Sequence, residues 1–272
     1  MELWKFWRGK LTKALVSVVV PTFNSERFLE KCLLSVKGQS HPNIEVIVVD
    51  NYSVDRTREI AEICGVRVVL CRAGRSRARN VGASYAKGEF VLFVDSDMEL
   101  TPNVVGECVA KMSSGFDAVI IPEFSVGEGF WAKCRALEKQ CYIGDDLIEA
   151  ARFFRRSVFE SMSGYDSELE AGEDWDLNQR IIKAGFRIGR IDAFIKHHEG
   201  KLSLRETMLK KHYYGKTLER YRIRHPEEAK QQLMVIRYAF IKNWKMILKN
   251  PVHALGMVFM KTCEFVAGYV GS

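Results

Sequence analysis

The 272-residue chain is short of several things, and each shortage narrows what it does. It has 6 prolines, no low-complexity tract and no internal repeat, which sets aside collagen-like, disordered and solenoid architectures. No uninterrupted apolar run reaches the roughly 18–20 residues of a bilayer-spanning helix. The 7 cysteines are scattered, odd in number and without a C-x-x-C pair. They read as reduced thiols of a cytosolic protein, not as a disulfide or zinc framework. The opening "MELWKFWRGK" lacks the long apolar segment of a signal peptide. No RNP motif or zinc knuckle is present, so nucleic acid is not an expected partner.

What is there is the material of a folded α/β protein: 47% hydrophobic and 28% charged residues, enough for a sizeable core. The formal charge of +7 is unevenly placed. From Lys201 onward there are 14 Lys and Arg against 5 Asp and Glu, whereas residues 1–200 are slightly acidic. A localised basic region points to an anionic surface or a phosphate-bearing ligand.

Four β-branched runs, "VSVVV", "NIEVIVVD", "VRVVL" and "EFVLFVD", have the character of strands buried on both faces. Helical stretches at about 25–37, 55–64 and 75–87 separate them. This alternation predicts a doubly wound, mostly parallel sheet flanked by helices, with ligands at the carboxyl ends of the strands. Asp50, Asn51, Asp95 and Asp97 all stand at such ends. Residues 98–165 read as mixed strand, loop and helix, "GEDWDLNQRIIKAG" as a helix stopped by Gly185, and "FRIGRI" as a strand.

After about residue 200 the pattern becomes helical. Ser203 and Glu206 give a capping-box signal for a helix to about 222. Pro226 opens a second helix, with Leu233, Ile236, Phe240, Trp244 and Ile247 as its apolar stripe. A last helix begins at Asn250–Pro251 and carries Leu255, Val258, Phe259, Phe265 and Val266. The tail, 201–272, is amphipathic, basic and aromatic, and so is the N-terminal segment 1–15, where Trp4, Phe6 and Trp7 stand among Lys5, Arg8 and Lys10. Such segments lie on a membrane surface or pack into an oligomer; sequence does not separate the two.

Asp95-Ser96-Asp97, two carboxylates one residue apart after a buried strand, offers hard oxygen ligands for Mn²⁺ or Mg²⁺. Alone, this is also what a turn looks like. Four segments in order change its weight: "VSVVVPTFNSERFLEKCLLSVKGQ", "VIVVDNYSVDRT", "ARNVGASYAKGEFVLFVDSDMEL" and "GEDWDLNQRIIKAGFRI". Together they closely resemble the family 2 glycosyltransferases of GT-A fold, over about residues 16–200.

The resemblance implies a nucleotide-sugar donor, UDP- or GDP-linked, and a metal-dependent inverting transfer. Pro21, Thr22 and Asn24 then line the nucleotide, and Asp50 with Asn51 meets the base. Arg79 and Asn80 match the family's A-R-N element, Arg79 pairing with an aspartate or the donor. Asp95 approaches the ribose or sugar, Ser96 stands between the two aspartates, and Asp97 holds the cation against the diphosphate. Asp174 matches the general base that takes the acceptor's proton, oriented by Glu173, with Trp175 beside it to stack on the acceptor or simply to pack. Gly164, Tyr165 and Asp166 resemble a sugar-pocket element in which Ser163 replaces a glycine; Arg180 joins that pocket. His197 or His198 is a candidate for the metal or diphosphate. The family's Q-x-x-R-W motif of processive synthases is missing, which favours single-sugar transfer. The expected acceptor is lipid-linked or membrane-proximal, reached from the cytoplasmic face. Competing readings are a sugar-nucleotide pyrophosphorylase, disfavoured by "PTFNSE" after the first strand, a non-catalytic nucleotide-sugar-binding or scaffold protein, and a soluble transferase whose tail is a dimer interface.

Overall fold

The structure, a computed structural model, describes residues 14–271. The chain begins with β1 (Val16–Thr22), α1 (Leu29–Lys37), β2 (Ile44–Asp50), α2 (Thr57–Ile63), β3 (Arg67–Leu70), α3 (Arg75–Ser84) and β4 (Phe90–Phe93). Next come β5 (Met98–Leu100), α4 (Val104–Ser113), β6 (Ala118–Ile120), β7 (Glu123–Glu128), α5 (Gly129–Tyr142), β8 (Ala151–Arg155) and α6 (Arg156–Ser161). The last stretch holds α7 (Glu173–Lys183), β9 (Ile188–Arg190), β10 (Ile195–Lys201) and α8 (Leu204–Arg224). It ends with α9 (Pro226–Gln232), α10 (Tyr238–Lys242), α11 (Trp244–Leu248) and α12 (Pro251–Gly271).

These elements divide into two compact units. The first comprises the described residues up to Pro122 with Ala151–Ser167 and Leu177–Ile195. It holds a seven-stranded sheet in the order β3-β2-β1-β4-β8-β6-β9. The pairs β1–β2, β1–β4, β2–β3 and β6–β9 are parallel, and β8 runs antiparallel to both β4 and β6. Side-chain alternation explains why the sheet is covered twice. Val16, Val18, Val20, Leu92 and Val94 enter one core, while Val19, Ile47, Val49, Val91 and Phe93 enter the other. A period of two on a strand buried on both faces leaves no polar side, and each large side chain so buried contributes about 1.5–3 kcal/mol.

Strand order reverses between β1 and β4, so the expected ligand crevice lies at their carboxyl ends. There, Thr22 is in register with Asp50. α3 lies very close on β1 and β2: a Cβ added to Gly82 would come within 2.2 Å of Val19 Cγ1. That close approach fixes the height of α3 over the strand ends, and with it the arginines on its first turns.

The second unit comprises Glu123–Ala150, Glu168–Asp176 and the residues from Lys196 onward. The residues expected to form a tail from 201 thus pack together with Glu123–Ala150 and Glu168–Asp176. The core of this unit shares Cys134, Leu137, Cys141 and Tyr142 of α5 with Phe240, Ala254, Met257 and Met260. The single helix expected after Pro226 is broken into α9, α10 and α11. One break falls at Asn243, whose Nδ2 donates to the carbonyls of Cys141 (2.9 Å) and Ala239 (3.0 Å) and so ties this junction to the end of α5. Ser203 does occupy the N-cap position of α8, but its side chain makes no capping bond, so the capping box is not formed. The N-terminal segment, up to residue 13, lies outside the described residues.

Candidate active site

The loops after β1 and β2 are tied together by short polar side chains. Asp50, at the end of β2, is wholly buried. Its Oδ1 accepts from Thr22 Oγ1 (3.1 Å) and Ser53 Oγ (2.5 Å), and its Oδ2 accepts from the Ser53 N–H (2.9 Å). Ser53 Oγ in turn accepts from the Asn24 N–H (2.8 Å), and Asn24 Oδ1 accepts from the Val54 N–H (3.0 Å). The Asn51 N–H donates to the Thr22 carbonyl (2.9 Å). Asn24 and Tyr52 both sit at positive φ, 48° and 56°, a conformation these bonds hold in place. Asp50, expected to meet the base, is in this structure also the anchor that ties Thr22 and, through Ser53, Asn24 into one wall. Ser53 does this work with it; its spacing of three residues after Asp50 was the available signal.

Asp95 follows β4 and is held by positive charge. Arg79 Nη2 lies 2.7 Å from its Oδ1 and Arg152 Nη1 3.4 Å from its Oδ2. Burial by itself would raise the Asp95 pKa; the positive charges of Arg79, Arg152 and Arg75 outweigh it and hold the group well below the usual carboxylate range. Arg79 is fully buried and its guanidinium lies 5.3 Å from the Tyr165 ring centroid. The expectation that Arg79 pairs with an aspartate is met in this geometry. Asp95 is thereby an arginine-bound carboxylate. Ser96 Oγ donates to Ser25 Oγ (2.8 Å), which joins the β4 end to the β1 loop. Arg75 and Arg152 were not singled out from sequence, since nothing in "GRSR" or "ARFFRR" marks which arginine reaches Asp95. Cys32 sits under this corner; burial first, then Asp97 and Asp95, raises its thiol pKa and keeps it protonated.

The segment "SGYDSEL" forms a support behind the site. Ser163 and Gly164 have φ of 59° and 66°. Asn80 clamps the turn: its Nδ2 donates to the Tyr165 carbonyl (2.7 Å), and its Oδ1 accepts from the Tyr165 N–H (2.9 Å). Arg180 Nη2 donates to the Gly164 carbonyl (2.8 Å) and Nη1 to that of Met162. Tyr165 is buried among Phe93, Phe154 and Phe159. Gly164, Tyr165 and Arg180 were expected to line the sugar pocket; in the structure Tyr165 is core and Arg180 is the strap of a turn.

The expected catalytic acids belong to the second unit. Glu173, Asp174 and Asp176 occupy the first turn of α7, where the helix dipole favours negative charge. Glu173 is buried and Asp174 half-buried. Trp175 packs: its Nε1 donates to the Ile148 carbonyl (2.8 Å), and its ring lies 5.8 Å from that of Tyr221. Asp176, unremarked in the sequence, is fully buried with Arg224 Nη1 at 2.7 Å and His225 Nε2 at 3.0 Å. His197 and His198 lie on β10, His197 Nδ1 standing 3.8 Å from Glu123.

Among the described residues no group of three or more His, Cys, Asp or Glu forms a ready-made metal cage. The donor chemistry still fits a hard cation. A carboxylate such as Asp97 after a rigid strand suits Mn²⁺ or Mg²⁺, which complete their shell with water and substrate phosphate oxygens.

Similarity to known proteins agrees with this architecture. Residues 17–162, more than half of the chain, match the profile of Glycosyl transferase family 2. The chain is 26% identical over 234 residues to the pre-mycofactocin glycosyltransferase of Mycobacterium tuberculosis, covering 79% of this chain and 49% of that protein. It is 29% identical over 166 residues to the GalNAc(5)-diNAcBac-PP-undecaprenol β-1,3-glucosyltransferase of Campylobacter jejuni, covering 54% of this chain and 53% of the other. The chain thus spans about half the length of these curated relatives. Among solved structures, the mannosyltransferase PcManGT from Pyrobaculum calidifontis, in complex with GDP-Man and Mn²⁺, superposes with a TM-score of 0.69 at 18% identity, covering 98% of this chain and 93% of that one. The chain belongs to glycosyl transferase family 2.

Proposed function

We propose that this protein transfers a single sugar from a nucleotide-sugar donor to the hydroxyl of a lipid-linked acceptor, with inversion at the anomeric carbon. The observation that carries the reading is the corner after β4, where Asp95 is bound by two arginines and Asp97 follows two residues on. Arg79 and Arg152 keep Asp95 ionised and fixed, and the Asp50–Ser53–Asn24 chain fixes the adjoining wall. Both loops are therefore shaped before a ligand arrives, the condition for electrostatic stabilisation without reorganisation.

Asp97 is the residue that holds Mn²⁺ or Mg²⁺, with His197 as a second candidate. When bound, the cation supplies Lewis-acid stabilisation of the charge that builds on the departing diphosphate. Asp174 takes the proton from the acceptor hydroxyl as its oxygen attacks the anomeric carbon, and Glu173, buried beside it, fixes the turn from which Asp174 projects. Attack opposite the leaving group in one displacement inverts the centre. The neighbour's GDP-Man and Mn²⁺ and the lipid-linked acceptor in the Campylobacter relative's name support the donor and acceptor classes.

A panel of UDP-, GDP- and dTDP-sugars with Mn²⁺, scored by nucleotide release and thermal shift, identifies the donor. With that donor, Asp174→Asn is expected to lose on the order of 10²–10⁴-fold in turnover while its nucleotide-induced thermal shift survives. Undiminished turnover in Asp174→Asn removes Asp174 as the base. Asp97→Asn is expected to abolish the Mn²⁺-dependent part of the donor's thermal shift; an unchanged shift moves the cation elsewhere.

A further inference from the structure

The last helix of the second unit is mounted the unusual way round. α12 buries Ala254, Met257, Met260, Lys261, Glu264 and Ala267. It leaves Leu255 76%, Phe259 55% and Val266 51% exposed, in line with Val252 and Val270. Those five positions are separated by three, four, seven and four residues, which is one helical stripe. Two locks keep that stripe outward. Lys261 Nζ lies 2.9 Å from Glu138 Oε1 and 3.0 Å from Glu264 Oε2, with Arg135 bridging the same two carboxylates. Rotation is also blocked at Gly256, where an added Cβ would come within 2.5 Å of Phe130 and 2.6 Å of Cys134. The segment before it continues the apolar surface through Trp244 (54% exposed) and Leu248 (65%).

We propose that this face, α12 with the exposed edge of α10 and α11, docks on an anionic lipid bilayer. Charge selects the occupant. From Leu233 to Gly271 the only carboxylate is Glu264, and it is buried, whereas Lys242, Lys245 and Lys249 are exposed. A two-fold contact between copies would set these lysines against one another with no acid to answer them. A bilayer bearing anionic headgroups meets both needs: hydrocarbon for the stripe and phosphates for the lysines, with Trp244 suited to the boundary between them. The inference deepens the lipid-linked acceptor reading, since it places the protein on the surface that carries such acceptors.

The test is co-flotation of the whole chain with vesicles of phosphatidylglycerol and phosphatidylcholine, against phosphatidylcholine alone. Parent protein is expected to float with the anionic vesicles only. Lys242→Glu/Lys245→Glu/Lys249→Glu should bind at least about a hundredfold more weakly, each lysine near a charged surface contributing roughly fivefold. Leu255→Glu/Phe259→Glu should stay in the soluble fraction while keeping the parent's nucleotide-induced thermal shift, which shows that it folds. Flotation equal to the parent's in both variants overturns the proposal. So does a parent that ignores vesicles and sediments as a dimer which Leu255→Glu/Phe259→Glu dissociates; the stripe is then a self-association face. Transfer to a water-soluble acceptor, measured in parallel, keeps the two readings apart: flotation without any transfer sinks the enzyme reading, and transfer without flotation sinks only the docking.

Discussion

Arg79 is a cation with almost no solvent, and its interaction with Asp95 makes the position unforgiving. Removing Arg79 takes away the nearest cation of Asp95, but Arg152 and Arg75 still face it, so the cost falls below the roughly 3–5 kcal/mol of a buried charge left wholly uncompensated. Arg79→Met is therefore expected to lower the denaturant midpoint clearly, whereas Arg56→Ala, which breaks an exposed pair with Glu59, should leave it nearly unchanged. The Asp95 pair also carries a pH signature. The folded pKa of Asp95 lies below its unfolded value of about 3.9, so its stabilisation is complete above that value and lost as pH falls below it. The stability difference between parent and Asp95→Asn should be constant from neutral pH to about 5 and shrink below about 4. A difference that instead grows on acidification would contradict the arginine-held carboxylate. Gly164 is demanding for a steric reason: at φ 66°, an added Cβ would lie 2.5 Å from Asn80 Oδ1. Gly164→Ala should destabilise by at least about 1–3 kcal/mol, read as a drop in melting temperature.

At the scale of elements, Asp176 ties the first turn of α7 to the junction of α8 and α9 through Arg224 and His225. Asp176→Ala should speed amide exchange across residues 221–232 more than in the sheet, because it removes the carboxylate that both Arg224 and His225 contact at one helix junction. Uniform exchange changes would mean that this junction is held by other contacts. Elements of this kind also show what the sequence made legible. The strands β1, β2 and β4 are largely β-branched and aromatic runs, interrupted inside β1 and β2 by Ser17 and Glu45, and that composition reveals them. The doubly wound sheet followed from their alternation with helices. Legibility failed where a side chain's partner is remote. Motif order does not show that Asn80 clamps the Tyr165 turn or that Thr22, 28 residues away, holds Asp50. A motif fixes position along the chain, whereas the partner 85 residues away decides which way an amide or guanidinium turns. The apolar stripe from Leu233 to Ile247 likewise runs across two breaks, one before Tyr238 and one at Asn243, which the period of apolar residues does not record.

At the scale of the whole molecule, β1, β2 and β4 belong to the first unit, and the acids of α7's first turn belong to the second. The chain has a sequence pI near 9.0, and its net positive charge is concentrated after residue 200. That concentration makes the stripe on α12 manageable in water, since the exposed lysines beside it keep like surfaces apart. The balance depends on ionic strength. At low salt, repulsion reaches across a Debye length of about 10 Å or more; near 1 M it fades to about 3 Å while apolar contact persists. Light scattering of the pure protein should therefore rise with sodium chloride, and Leu255→Glu/Phe259→Glu should abolish that rise. An outward-facing Leu255 and Phe259 thus make this a protein that salt precipitates rather than dissolves, and one best concentrated in dilute buffer.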